Sequence, residues 1–232
     1  MLDVEYNGIK ASYCKAILKE LPSIPAPEQN FKEIEVAGKD GTLIIKDGTY
    51  KNIDIPLKFN FITHKNLWHE TYRAIKAWAF SEGNRILKFS DDGGYFYKAK
   101  KTKMATTERN SIRVGNVEIV FTCEPYQYLV DGQEFQKPKD VSFNSFCLSH
   151  PDYKITGEGI CTLTVNGKTM KANIGQNLTI NTDLMLAYRE DGSIMNTSVT
   201  GDYEDLYLKP GENSISVSSG FSLTVKPNWR CI

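Results

Sequence analysis

The 232-residue sequence has no excess of charge of either sign, because 28 lysines and arginines balance 28 aspartates and glutamates. Proteins that bind nucleic-acid phosphates usually carry a basic excess, so specific binding of DNA is not expected. No stretch approaches the ~20 consecutive apolar residues of a membrane helix. The first residues also lack the basic start and apolar core of a secretory signal. We therefore expect a protein that is synthesised and folded in a cytoplasm and does not enter a membrane.

Cysteine is scarce, and its five positions are scattered along the chain. The number is odd and no two cysteines form a CxxC pair, whereas zinc ligands cluster at such short spacings. The pattern predicts buried free thiols and no metal site. The cysteines are Cys14, Cys123, Cys147, Cys161 and Cys231.

Local signatures of catalysis are missing as well. The sequence contains no HExxH, GxSxG or GxxxxGKS/T motif, and its three histidines stand without such partners. The acidic turn at residues 91–94 resembles the start of a calcium loop, but aromatic residues 95–97 occupy the places of the further ligands. We predict no catalytic residue and no cofactor. A carboxylate pair for glycoside hydrolysis stays open, because such a pair forms only in space.

Alternation of apolar and polar residues predicts short strands through the first half. Residues 2–9 alternate and end in a glycine turn, and residues 85–101 predict a hairpin around the acidic turn. A long strand is predicted over residues 50–62. It contains Pro56, which cannot donate to a sheet and therefore predicts an edge position or a bulge.

One segment, residues 63–81, has the period of a helix. Its apolar residues recur at i, i+4, i+7 and i+11, with Thr63 as the predicted N-cap and Gly83 as the stop. A single amphipathic helix among strands must pack on a sheet. The apolar residues of this face are Trp68, Tyr72, Ile75 and Ala79.

The second half predicts strands alone. Asn166-Gly167 between alternating segments is a strong signal for a two-residue hairpin, and six to eight short strands with regular turns are typical of a sandwich or jelly roll. We predict a mainly β protein. An N-terminal β-sandwich with one α-helix and a β-hairpin (1–130) is followed by a linker (131–150) and a jelly-roll β-sandwich (151–232).

Aromatic residues of the second half support an alternative function. Stacked aromatic faces bind sugar rings, although strands of sandwiches also use tyrosine for packing alone. A carbohydrate-binding module for host cell-surface sugars is therefore the second hypothesis. The residues proposed for sugar stacking are Tyr188, Tyr203, Tyr207 and Trp229.

Two stretches of the first half together resemble a known family. Residues 34–43 are IEVAGKDGTL and residues 50–57 are YKNIDIPL. They are similar to the V-x-G-R-D-G-x-L … Y-x-N-x-x-I-P signature of the distal tail (Dit) proteins of siphophages, with Lys39 where the family often has arginine. The matching residues, which we interpret as structural, are Gly38, Asp40, Gly41, Tyr50 and Pro56.

Further segments extend the resemblance over nearly the whole chain. Residues 87–92 (LKFSDD), 95–99 (YFYKA) and 120–126 (VFTCEPY) resemble the rest of the family's first domain. Residues 208–216 (LKPGENSIS) and 221–230 (FSLTVKPNWR) resemble the close of its galectin-like C-terminal domain. Each motif alone is common, whereas the ordered set is not.

The resemblance implies a structural protein of the virion, not an enzyme. Members form a homo-hexameric ring in the baseplate at the tip of a long non-contractile phage or prophage tail. The ring joins the tail tube to the tail-tip protein (the tail-associated lysin) and is a hub for receptor-binding proteins in host attachment. DNA passes through the central channel without specific binding, which fits a chain without basic excess. A ring requires two different patches on each subunit, for which we propose the strand around Pro56 and the hairpin 85–101.

Overall fold

The structure, a computed structural model, describes residues 2–138 and 141–232, with the backbone alone of Val141. The protein is mainly β, with antiparallel sheets and one α-helix in this described part. Two compact units divide the chain. The first comprises residues up to Gln127 together with Ile232, and the second comprises Tyr128–Cys231.

The first unit is built on a sheet with the strand order β2-β1-β7-β8-β10-β6-β3, and β9 lies along β10. Strands β4 and β5 pair with each other in a separate two-stranded sheet. The elements are β1 (Val4–Tyr6), β2 (Ile9–Lys10), β3 (Ile17–Leu18), β4 (Gln29–Glu35), β5 (Thr42–Tyr50), β6 (Ile53–Ile62), α1 (Trp68–Ala79), β7 (Ile86–Phe89), β8 (Tyr95–Met104), β9 (Glu108–Arg109) and β10 (Val114–Leu129).

Helix α1 packs on this sheet through the predicted apolar face. Trp68, Ile75 and Ala79 are buried, and the ring of Trp78 meets the rings of Tyr6, Phe59 and Phe121 at centroid distances of 6.4, 5.7 and 6.3 Å. The Trp78 indole N–H also donates to the Ile9 carbonyl at 2.8 Å. The core includes Val4, Tyr6, Ile55, Leu57, Phe59, Phe61, Ile75, Trp78, Leu87, Ile119 and Phe121.

The predicted helix cap was wrong. The residue before the helix is Leu67, and it makes no capping hydrogen bond with its side chain. Thr63 instead closes the end of β6, because its N–H donates to the Arg113 carbonyl and its hydroxyl donates to the His64 carbonyl. The helix ends at Ala79, before Gly83.

The second unit is organised by one long hairpin. Every residue of β12 (Asp152–Val165) has a partner in β13 (Lys168–Asn181), from Asp152 opposite Asn181 to Val165 opposite Lys168. The turn is Asn166-Gly167 with φ of 51° and 80°, as the sequence predicted. The remaining strands are β11 (Val141–Asn144), β14 (Leu186–Tyr188), β15 (Val199–Thr200), β16 (Gly211–Val217), β17 (Ser222–Lys226) and β18 (Arg230–Cys231).

Strands β11 to β17 enclose a second core. Strands β16 and β17 pair with the two ends of β12, and β14 and β15 pair with β13. Strand β11 extends the sheet by pairing with β16. The core includes Tyr153, Ile155, Leu163, Val165, Met170, Ile174, Leu178, Ile180, Leu206, Leu208 and Val225.

The structure places the segment predicted as a linker within the second unit. Gln136 exchanges backbone hydrogen bonds with Val225, β11 pairs with β16, and Ser149 exchanges hydrogen bonds with Leu208. Its glycine, proline and polar composition is typical of a linker, but it is also typical of a sheet edge. Residues 139–140 of the predicted linker lie outside the described residues.

Candidate functional site

Strands β4 and β5 form an arm, defined here as residues 29–50. The two strands pair from Phe31 opposite Lys46 to Glu35 opposite Thr42. The tip between them contains the predicted glycine turn, with Gly38 and Gly41 at φ of 78° and 79°. In the described part of the first unit, neither strand pairs with the main sheet.

The two faces of the arm differ in chemistry. Residues directly opposite each other in a hairpin share a face, and the face alternates along each strand. The pairs Ile34–Leu43 and Lys32–Ile45 therefore lie on one side, which Val36 joins by alternation. The other side combines Phe31 and Ile44 with Glu33, Glu35, Lys46 and Thr42.

The first of these sides is an apolar face that the described residues leave partly exposed. Val36, Leu43 and Ile45 retain 43%, 44% and 46% of their accessible surface, and the apolar face is defined here as these three residues with Ile34. An isolated two-stranded hairpin is marginally stable at best in water. The apolar face is therefore expected to be buried against another surface in the working protein.

The signature residues lie along the arm and just beyond it. Gly38, Asp40 and Gly41 form the tip. At the base, the Tyr50 ring meets the Tyr126 ring at 6.0 Å, and its hydroxyl accepts from Gln29 Nε2 at 3.2 Å. Tyr50 thus connects the base of the arm to β10.

Pro56 lies on a partly open stretch of β6. On one side β6 pairs with β10 over its whole length, with Pro56 opposite Val120. On the other side, β3 pairs only with Phe59 and Asn60. Among the described residues Pro56 thus has a partner strand on one side alone, which suits a residue without an N–H.

The second ring-contact candidate, the hairpin 85–101, lies inside the main sheet. Strand β7 pairs with β1, and β10 lies beside β8. Both outer edges of the hairpin are therefore already occupied within the sheet. A backbone that is paired on both sides cannot add a strand from another subunit.

The four residues proposed for sugar stacking lie in the second unit and make different contacts. Tyr188 ends β14, and the Tyr203 hydroxyl donates to Asn196 Oδ1 at 3.4 Å. One face of Tyr207 is covered by the His150 ring at 4.1 Å. Within the described part of the chain no ring contact joins any two of the four. Burial raises the pKa of all three tyrosine hydroxyls, as expected for packing residues.

A polar cluster around His150 was not visible in the sequence. Arg230 donates to His150 Nε2 at 3.0 Å, so Nδ1 carries the ring proton and donates to Asp183 at 2.8 Å. Arg230 Nε also donates to the Leu148 carbonyl. The partners are distant in sequence and no local motif connects them. The cluster ties the chain end to the start of β12.

A cavity of about 240 Å³ opens in the second unit. It lies between residues 131–138, β11, β16 and β17. Of the four residues proposed for sugar stacking, Trp229 lines the cavity and Tyr188, Tyr203 and Tyr207 do not. Its lining residues are Asp131, Gln136, Lys137, Pro138, Ser142, Phe143, Leu208, Ile215, Val225, Pro227 and Trp229.

Metal-binding side chains and cysteines are scattered over the described residues. The described residues contain no group of three metal-binding side chains, and Cys14, Cys123, Cys147 and Cys161 are free thiols. Burial, followed by the Asp54 and Glu124 carboxylates, raises the pKa of the Cys123 thiol to about 12. Its reactive thiolate form is therefore suppressed at neutral pH. No helix in the described ranges is long and apolar enough to cross a membrane.

In its described residues the protein has two mainly β units, with one α-helix packed on the sheet of the first, and this arrangement defines its fold class. A crystal structure of the SPP1 Dit protein has the same fold, with a TM-score of 0.72, 11% sequence identity, and 100% of both chains covered. That protein is described as a paradigm of the hub adsorption apparatus in phages that infect Gram-positive bacteria. No family model matches the sequence, and no curated protein matches it.

Proposed function

We propose that the protein is a structural distal tail protein at the tip of a long non-contractile phage or prophage tail. The observation that carries the proposal is the likeness of fold to SPP1 Dit over the full length of both chains. The ordered motifs around the arm and at the end of the second unit support it independently. The chain acts by assembly and not by catalysis.

The apolar face supports a homo-hexameric ring. Closed rings use heterologous interfaces, in which one patch of a subunit meets a different patch of its neighbour. An arm that is separate from its own sheet supplies one such patch. Burial of its four aliphatic side chains against a second copy stabilises the ring, at roughly 25 cal/mol for each Å² of apolar surface removed from water.

The remaining partners follow from the position of a ring at a tail tip. It joins the tail tube on one side and the tail-associated lysin on the other, and its second units carry receptor-binding proteins. The virion tail tip is thus its location. DNA crosses the central channel without specific binding, in keeping with a chain whose formal net charge is zero.

The mass of the purified protein tests the ring. We expect size exclusion with light scattering to give a mass near six times the 26.2 kDa subunit, with the hexamer fraction rising with concentration. Electron microscopy of the same fraction should show closed rings with a channel. A monomer at every concentration, or an open fibre, would contradict a self-assembling ring.

A further inference from the structure

The cavity of the second unit combines an apolar floor with a polar mouth. Leu208, Ile215 and Val225 at the floor are buried, with at most 7% of their surface exposed. Phe143 on the edge strand β11 is 65% exposed. The mouth carries groups that donate and accept hydrogen bonds, namely Asp131, Gln136, Lys137 and Ser142.

The backbone on both sides fixes Trp229 in this cavity. Its carbonyl accepts from the Leu129 N–H at 3.0 Å, and the neighbouring Asn228 N–H donates to the Gly132 carbonyl at 3.1 Å. Gly132 lies so close that a Cβ atom there would be 2.7 Å from Trp229 Cδ1. The indole is therefore held in place before any ligand arrives, which lowers the entropic cost of binding.

Size and charge restrict the class of ligand. At about 240 Å³ the cavity lies below the roughly 300–1,000 Å³ of sites for drug-sized molecules, so it suits a single ring. Asp131 and Lys137 carry opposite charges, which favours a neutral ligand over a phosphate or a cation. An aromatic wall suits a ligand with an apolar face.

A pyranose has this combination, because its C–H groups form an apolar face and its hydroxyl groups form a polar rim. We infer that the cavity binds one neutral pyranose unit, with Trp229 and Phe143 against the ring and Asp131 and Gln136 on its hydroxyls. The inference goes beyond the proposed ring and does not depend on it.

Tryptophan fluorescence of the full-length protein provides the first readout. Trp229 is the one tryptophan of the second unit, and Trp68 and Trp78 are buried in the core of the first. The probes are the methyl glycosides of glucose, galactose, rhamnose and N-acetylglucosamine, with glycerol phosphate as the charged comparison. We expect a saturable change with at least one neutral glycoside, and saturation-transfer NMR should show contact through its C–H face.

Variants at exposed positions locate the binding without disturbing the core. Phe143→Ala should weaken binding roughly three- to tenfold, which is the range for one aromatic contact, and Asp131→Asn should also weaken it. Phe135→Ala is the matched control, because Phe135 is 42% exposed and lies outside the cavity lining.

Three results would overturn the inference. They are no response to any neutral glycoside, equal affinity of the Phe143→Ala and Phe135→Ala variants, and tighter binding of glycerol phosphate than of every glycoside. Light scattering on the same samples distinguishes a protein that does not bind a glycoside from one that does not form the ring. The oligomeric mass of the Phe143→Ala, Asp131→Asn and Phe135→Ala variants should equal that of the unmodified protein.

Discussion

At the scale of single residues, Tyr153 shows how a polar group stabilises the second core. Its side chain is fully buried, and its hydroxyl donates to the Leu206 carbonyl at 2.7 Å. Tyr153→Phe keeps the ring but leaves this carbonyl without its partner. We expect the free energy of unfolding at pH 7 to fall by about 1–3 kcal/mol, as measured by urea denaturation.

The same variant should change the dependence of stability on alkaline pH. Burial raises the pKa of Tyr153 well above its ordinary value, whereas in the unfolded chain tyrosine ionises near pH ~10. Above that pH the unfolded state loses the proton and the folded state keeps it, so the folded protein loses stability as pH rises. Tyr153→Phe removes this contribution. Tyr13→Phe, at a residue 77% exposed, should change neither quantity.

The His150 cluster shows which residue-level features sequence cannot provide. His150, Asp183 and Arg230 meet because β12, the turn after β13 and the chain end come together. No spacing or motif specifies these contacts. The histidine could be predicted to be structural, since no catalytic partner stood near it. Its hydrogen-bonding partners could be found only from the fold.

At the scale of elements, the apolar face of the arm leads to a prediction about assembly. If the proposed ring forms through this face, Leu43→Ser with Ile45→Ser should abolish the hexamer in light scattering, because the double variant removes two of the four aliphatic side chains of the proposed contact. The thermal melt of the subunit should change little, since both residues are exposed in the single chain.

Ile44→Ser is the control for the choice of face. Ile44 is 56% exposed and pairs with Glu33 on the opposite side of the arm. This variant should keep the hexamer. Loss of the hexamer in Ile44→Ser, or its survival in the double variant, would show that the apolar face is not the ring contact.

Elements that depend on local chemistry were the predictable part of the fold. The Asn166-Gly167 turn needs two residues with positive φ, and the apolar side of α1 follows from its period.

The continuity of β5 was harder to predict from the sequence, because Asp47-Gly48 has the composition of a turn. In the structure Gly48 has a φ of 79° within one continuous strand. The separation of the arm from the main sheet depends on long-range pairing, about which local sequence says nothing.

At the scale of the whole molecule, each unit has its own core. Ile119 in the first and Leu163 in the second are both fully buried. Ile119→Ala and Leu163→Ala should each cost about 2–5 kcal/mol. We expect hydrogen exchange to show the loss of protection mainly in the unit that carries the substitution. Equal loss in both units for either variant would mean that the two cores unfold as one.

The long hairpin of the second unit also has a consequence for the order of folding. Strands β12 and β13 meet through a two-residue turn, and isolated hairpins of this kind form in about 1–10 μs. In the first unit, by contrast, Val4 pairs with Phe89 and Ile53 with Cys123, so distant segments must meet before the sheet closes. The first unit emerges earlier from the ribosome, yet β6 meets its partner strand only after β10 has been synthesised. The second unit has a fast local nucleus as soon as β13 is made.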